Sequence, residues 1–115
     1  MEDLERIERA VRLPRAPDEV WPLVAEPEQL GAWLGGEVDV ELRPGARGAF
    51  RPPEGATRRI MVLAVEPGRE LSFRWWPEAD VGAATTVTIS VDDFDDGESV
   101  VRVRETRAPA LLATA

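Results

Sequence analysis

The sequence has 115 residues, of which 43% are hydrophobic and 31% are charged, and its formal net charge is −8. This length predicts one domain over residues 1–115, built around one hydrophobic core. An acidic chain does not favour nucleic acid or an anionic membrane as a partner, because both require clustered cations. Cysteine and histidine are absent, which excludes disulfides and removes the commonest general base and metal ligand. We therefore expect no metal site and no cofactor.

Two features of the sequence bear on the location of the protein: its first residues and the length of its apolar stretches. The first residues, Met1–Glu5, are mostly acidic, and no apolar run follows them as it would in a signal peptide. No stretch approaches the ~18 apolar residues of a membrane span. A cytoplasmic location is the expectation.

The first third of the chain predicts a strand followed by two short helices. Ile7–Leu13 alternates in polarity and is predicted to be a strand. Asp18 is the expected N-cap of a helix that carries Pro22 in its first turn. A second helix is predicted over Glu28–Leu34, and Gly35-Gly36 is expected to end it.

From residue 38 onward the apolar residues recur with period two, which predicts six further strands. These centre on Val38–Leu42, Arg47–Arg51, Ile60–Val65, Leu71–Trp75, Val87–Val91 and Val101–Val103. The continuous apolar run Ile60–Val65 is expected to be buried on both faces, or at least to lie in the middle of the sheet. Residues 108–113 look like the start of a helix that the chain end interrupts.

The acidic segment 92–97 has two interpretations. Its four aspartates, Asp92, Asp93, Asp95 and Asp96, suggest calcium binding, but the ligand spacing and terminal Glu of an EF-hand are missing. We favour a hairpin loop whose charges keep the sheet edge soluble.

The element order predicts an α+β fold. We expect a curved antiparallel sheet of about six to seven strands, with two short helices after the first strand. Several segments carry a family resemblance: Ala16–Trp21, Pro27–Leu30 with Trp33, Val65–Pro67, Leu71–Trp75 and Val101–Glu105.

These segments resemble the START-like (SRPBCC) superfamily, and within it the bacterial branch named after the activator of Hsp90 ATPase. The resemblance implies a helix-grip fold, in which the sheet wraps around a long C-terminal helix and an apolar ligand lies between them. Only eight residues follow Arg107. At ~1.5 Å per residue they cannot cross a sheet, so we expect the C-terminal helix to be truncated.

The candidate ligand-binding residues are aromatic and apolar residues on one side of the predicted sheet and Trp33 at the end of the second predicted helix, with one carboxylate among them. They are Trp33, Phe50, Phe73, Trp75, Val87, Ile89, Val101, Val103 and Glu105. The competing interpretation is that the aromatic residues are ordinary core and that Glu105 is a solvated strand end. Period two places Trp76 on the face opposite Trp75.

These residues predict the binding of a small apolar molecule, and no residue is nominated as catalytic. A protein-interaction or chaperone-linked regulatory module is the alternative that the resemblance suggests. An enzyme of the cyclase or hydrolase type ranks lower, because without His and Cys few catalytic groups remain. If the long helix is missing, the apolar face of the sheet must be covered, either in a homodimer or by the chain's own helices.

Overall fold

A curved antiparallel sheet of seven strands packs two helices against its inner face. The computed structural model describes residues 6–107, so the predicted helical stub at 108–113 lies outside the described residues. In chain order the elements are β1 (Arg6–Leu13), α1 (Pro17–Ala25), α2 (Pro27–Leu34), β2 (Glu37–Asp39), β3 (Arg47–Arg51), β4 (Arg58–Glu66), β5 (Glu70–Pro77), β6 (Thr85–Asp95) and β7 (Glu98–Arg107). The predicted α+β fold, with both helices between the first and second strands, is confirmed.

The strand order across the sheet is β1-β7-β6-β5-β4-β3-β2, so the first and last strands of the described chain are neighbours. They pair antiparallel from Arg6 opposite Thr106 to Leu13 opposite Ser99. The Ser99 hydroxyl, which is fully buried, donates a hydrogen bond to the carbonyl oxygen of Arg15 at 2.6 Å. This bond fixes the chain to β7 at the point where it leaves β1 for α1.

The start of α1 differs from the prediction. The helix begins at Pro17 with Ala16 as N-cap, so Asp18 lies inside the first turn and does not cap it. Pro22 is therefore in the helix interior, where it removes an N–H that would bond to the carbonyl of residue 18. Pro22 and Asp18 are both exposed, so water can satisfy that carbonyl. Gly35 ends α2 as predicted, with a φ of 88° and its N–H bonded to the Gly31 carbonyl.

Of the two expectations for the apolar run in β4, burial on both faces is wrong, whereas the strand does lie inside the sheet, between β3 and β5. Ile60 and Val62 are 2% and 1% exposed, whereas Leu63 is 36% exposed. Alternation after Val62 points Leu63 outward, and the register shift in the pairing with β5 between Val62 and Ala64 leaves Ala64 exposed as well. Val65 then lies opposite Leu71 and packs against the core again. The apolar side chains of β4 are buried on the inner face alone, because both described helices pack on that side of the sheet.

The acidic loop prediction is also wrong in extent. β6 continues to Asp95 and pairs with β7 as far as Glu98, so the connection is the two-residue turn Asp96-Gly97. Gly97 has a φ of 71°, in the left-handed region that glycine adopts without strain.

The inner face of the sheet is covered within one chain. Val20 and Val24 of α1 and Leu30 of α2 are at most 1% exposed and belong to the same hydrophobic cluster as the sheet residues. Of the residues predicted to form an open concave face, five are buried: Phe73, Trp75, Val87, Ile89 and Val101. This arrangement corresponds to the alternative in which the chain's own helices cover the sheet. The homodimer stays a prediction.

Gly48, the one glycine of β3, has no room for a side chain. A Cβ at this position would collide with the Asp39 carbonyl oxygen and would lie 2.6 Å from Cβ of Val40. We expect Gly48→Ala to lower the free energy of unfolding by about 1–3 kcal/mol, as overpacking does. For a domain of this size that lowers the melting temperature by roughly 4–8 °C per kcal/mol.

Gly82→Ala is the control, because the nearest atom to its Cβ would be Asp80 Oδ1 at 3.4 Å. Urea unfolding of both variants checks the prediction. Equal stability of the two variants would contradict the close approach of residues 39–40 to β3.

Candidate functional site

The candidate functional site is a cavity of about 410 Å³ on the inner face of the sheet, beside the end of α2. Four strands and one helix contribute to its wall. The lining residues are Arg9 and Val11 of β1, Trp33 and Leu34 of α2, Trp75 of β5, Val87 of β6, and Val101, Val103 and Glu105 of β7.

Period two along β7 places three of these side chains on the inner face. Val101, Val103 and Glu105 lie at alternate positions of the strand and so point to the same side. Their neighbours in β1 and β6 share that side, because directly opposite residues in an antiparallel pair point the same way. Val11 lies opposite Val101, and Val87 lies opposite Glu105. Strand register alone therefore assembles most of the wall.

The end of α2 forms the opposite side of the cavity. Trp33 is half-buried, and its Nε1 donates a hydrogen bond to the Leu23 carbonyl oxygen at 3.2 Å. This bond ties the indole to α1. Leu34, the last residue of α2, lies beside Trp33 in the wall and packs against the hydrophobic core.

A three-residue hydrogen-bond network lies at the polar end of the cavity. The indole Nε1 of Trp75 donates to Thr85 Oγ1 and to Glu105 Oε2, at 2.9 Å in each case. The Thr85 hydroxyl donates to the same carboxylate oxygen at 2.6 Å, the short distance typical of an O–H bond to a carboxylate. The network holds Glu105, which is half-buried, in one orientation in the cavity wall.

The ring of Trp75 is held from three further sides. Its centroid lies 5.2 Å from that of Phe50 and 5.5 Å from that of Phe73. The Arg58 guanidinium stacks over it at 4.7 Å, a cation–π contact. Arg58 Nε is buried without a hydrogen-bond partner, so this stacking is the contact that the guanidinium makes here. Trp75 is thus both a core residue and part of the cavity wall.

The structure brings six of the nine predicted ligand-binding residues together in this wall: Trp33, Trp75, Val87, Val101, Val103 and Glu105. The other three, Phe50, Phe73 and Ile89, lie in the core and do not line the cavity; each is at most 4% exposed. Trp76 is half-exposed and lies opposite Arg59 of β4, on the outer face.

Sequence reasoning missed Arg9, Val11 and Leu34, which also line the cavity. Alternation in β1 placed Arg9 and Val11 on one side of that strand. Their proximity to the other wall residues depends on the pairing of β1 with β7, which no local pattern encodes.

Two further hollows, of about 350 and 200 Å³, lie around β3 and β4. Both include Arg47 and Arg59, and the larger one is lined mainly by charged side chains. Within residues 6–107, no three acidic side chains are grouped as a metal site would require. No helix in the same range is long and apolar enough to cross a membrane. The inner-face cavity is therefore the candidate site.

Thr85→Val is expected to destabilise the fold, because it removes the hydroxyl that donates to Glu105 and keeps the shape of the side chain. Hydrogen bonds to charged groups contribute about 1.5–3 kcal/mol, and partial exposure of this network reduces the expected loss to about 1 kcal/mol. Urea unfolding measures the change.

Thr88→Val is the matched control on the same strand. Thr88 lies opposite Ser72 and Arg104, and its side chain makes no hydrogen bond to another described residue. An equal loss of stability in both variants would mean that the network contributes nothing beyond strand propensity.

Comparison with solved structures shows the same fold in other proteins. DynU16, a protein of the dynemicin biosynthetic locus, has a TM-score of 0.75 and 24% identity over 96% of this chain, which spans 41% of the length of DynU16. MLL2253 from Mesorhizobium loti has a TM-score of 0.75 and 21% identity, with 90% of this chain and 77% of that one covered. An Hsp90 activator from Plasmodium falciparum has a TM-score of 0.71 and 13% identity, with 92% and 75% covered. At these identities the similarities show the fold alone.

Sequence comparison gives the family. No curated protein sequence matches the chain. The model of the family described as Activator of Hsp90 ATPase homolog 1-like protein matches residues 14–114, which covers α1, α2 and every strand except β1. The chain therefore belongs to the Activator of Hsp90 ATPase homolog 1-like protein family, and the START-like resemblance of its sequence is confirmed.

Proposed function

We propose that this protein binds a small hydrophobic molecule in the inner-face cavity. The observation that carries the proposal is the cavity itself, whose volume of about 410 Å³ falls within the range of ~300–1,000 Å³ that is typical of ligand pockets. Its wall is mostly apolar and includes Val11, Trp33, Leu34, Val87, Val101 and Val103. Apolar walls with a few polar groups are typical of such sites.

The floor of the cavity is rigid and its edge is open. Val87 and Val101 are each 1% exposed and belong to the packed core, so the floor keeps its shape when the cavity is empty. Val11 is 42% exposed, which supports an entrance along β1. A preformed site of this kind spends little free energy on ordering its wall when a ligand binds.

Family membership supports a ligand-binding or regulatory module. The Plasmodium falciparum relative is described as an Hsp90 activator, and a chaperone-linked role remains the alternative for this chain. The geometry favours the ligand-binding role, because an apolar-walled cavity beside a fixed carboxylate suits a small molecule better than a protein surface. A cytoplasmic location stays a prediction.

A larger side chain in the cavity wall is expected to weaken the binding of an apolar ligand. Val103→Phe adds bulk to a half-buried wall position. We expect this variant to bind the neutral apolar dye Nile red at least about tenfold more weakly than the unaltered protein, a change of ~1.4 kcal/mol. Dye fluorescence titration provides the dissociation constants.

Val81→Phe is the control, since the same substitution adds the same bulk at a position that is 69% exposed and outside the cavity. It should bind Nile red like the unaltered protein. Binding that Val81→Phe weakens as much as Val103→Phe would contradict the location of the site, and absence of dye binding in all forms would contradict the proposed function.

A brominated alkanol is expected to quench Trp33 more than Trp76, because bromine quenches only indoles that it contacts. Trp33 lines the cavity, whereas Trp76 lies on the outer face. Titration of 8-bromo-1-octanol into Trp33→Phe and Trp76→Phe checks this. Trp33→Phe should lose more of the quenching than Trp76→Phe, which should keep it, although Trp75 in the cavity wall leaves part of the quenching in both variants. The reverse pattern would place the ligand on the outer face.

A further inference from the structure

Glu105 presents an acceptor that the protein does not use. Its Oε2 accepts the bonds from Trp75 and Thr85, whereas Oε1 has no hydrogen-bond partner among the described residues. Among residues 6–107, the buried side-chain polar atoms without hydrogen-bond partners are Nε of Arg58 and Nε of Arg74. Oε1 is not among them, so it is accessible to solvent, and Glu105 itself lines the cavity. A carboxylate offers about four acceptor positions on its two oxygens, so Oε1 can take hydrogen bonds from a ligand.

Arg9 contributes the opposite charge to the same cavity. It lies opposite Val103 in the pairing of β1 with β7, and the next inner-face residue along β7 is Glu105. Such diagonal neighbours are about 7–8 Å apart at the backbone, within reach of two long side chains. The guanidinium is exposed and makes no ion pair with another described residue. The apolar cavity thus carries a fixed acceptor, Glu105, and an exposed donor, Arg9.

This pair of charges discriminates between polar head groups. A carboxylate head group would be attracted by Arg9 but repelled by Glu105, and an ammonium head group would experience the reverse. In either case the charged group would also lose its hydration in a mostly apolar cavity. A hydroxyl is neutral, donates one hydrogen bond and accepts others, so it can donate to Glu105 and accept from Arg9. Sites that bond a substrate hydroxyl discriminate strongly against analogues that lack it, because their own polar groups are then left unpaired.

We infer that the ligand is an apolar molecule that carries a hydroxyl group, an alcohol or a phenol, with the hydroxyl on Glu105 and the hydrocarbon along Val87, Val101 and Val103. The inference rests on the proposed function, since it names the class of molecule that the same cavity takes. It differs from that proposal in depending on Glu105 and Arg9 rather than on the apolar wall.

Displacement of Nile red by four probes with the same eight-carbon chain tests the inference at constant ionic strength. The probes are 1-octanol, methyl octyl ether, octanoate and octylamine. We expect 1-octanol to bind about tenfold more tightly than methyl octyl ether, which accepts hydrogen bonds but cannot donate one. Octanoate and octylamine should both bind more weakly than 1-octanol, because each is repelled by one of the two charged side chains and loses hydration in the apolar cavity. Binding of either probe as tight as that of 1-octanol would overturn the inference.

Glu105→Gln should reduce the preference for 1-octanol over octanoate by about tenfold, because a neutral amide accepts more weakly and no longer repels an anion. Glu98→Gln makes the same change in the same strand; Glu98 lies outside the cavity and pairs with Arg12 at 3.5 Å. It should leave the preference unchanged. Melting curves show whether each variant folds. If Glu105→Gln does not fold, Glu105→Asp replaces it: its carboxylate keeps the charge but lies farther from the ligand, so the preference for 1-octanol should be intermediate.

The two proposals fail in different ways. If Nile red and all four probes fail to bind, the proposed function is wrong and the hydroxyl inference falls with it. If the probes displace the dye but 1-octanol and methyl octyl ether bind equally, only the hydroxyl inference is overturned. The same holds if Glu98→Gln changes the preference as much as Glu105→Gln does.

Discussion

The pairing of β1 with β7 is the contact on which the rest of the structure depends. It joins residues 6–13 to residues 99–106, at opposite ends of the described chain. Because α1 follows β1 directly, this pairing also fixes where the helices cross the sheet, and the buried Ser99 hydroxyl secures that exit through the Arg15 carbonyl. Without it, the cavity would lose Arg9 and Val11 and the inner face would lose its first helix.

Trp75 couples the core to the candidate site. Its ring packs against Phe50 and Phe73 below, and its indole N–H bonds to Thr85 and Glu105 at the cavity wall. A change in core packing that rotates this ring would therefore reorient the carboxylate. Such coupling gives the site the supporting shell that precise recognition requires, and it makes substitutions of Trp75 itself a poor probe of binding.

Fold and function are specified by different parts of this chain. The related structures have low identity to it and share its fold, and folds of this kind host many unrelated functions. The candidate site of this chain is defined by the side chains of the cavity wall. Oppositely charged side chains, Glu105 and Arg9, stand beside a surface that is otherwise apolar. Ligand preference is therefore expected to follow these few positions rather than the family as a whole.

The sequence by itself determined the element order, the α+β class and the face on which most side chains lie. Period two placed Val101, Val103 and Glu105 on one side, and separated Trp75 from Trp76, because a strand has only two faces. The end of α2 at Gly35 was equally local, since only the backbone of that residue is involved.

The tertiary structure decided how deeply each side chain is buried, which side chains contact one another and where the strands are irregular. Phe73 and Ile89 share a face with Val103 but lie in the core, because periodicity gives direction and not distance from the surface. The bulge at Leu63 depends on the register of two strands. Trp75, Thr85 and Glu105 are ten and twenty residues apart in sequence, and only the alignment of β5, β6 and β7 brings their polar atoms into one network.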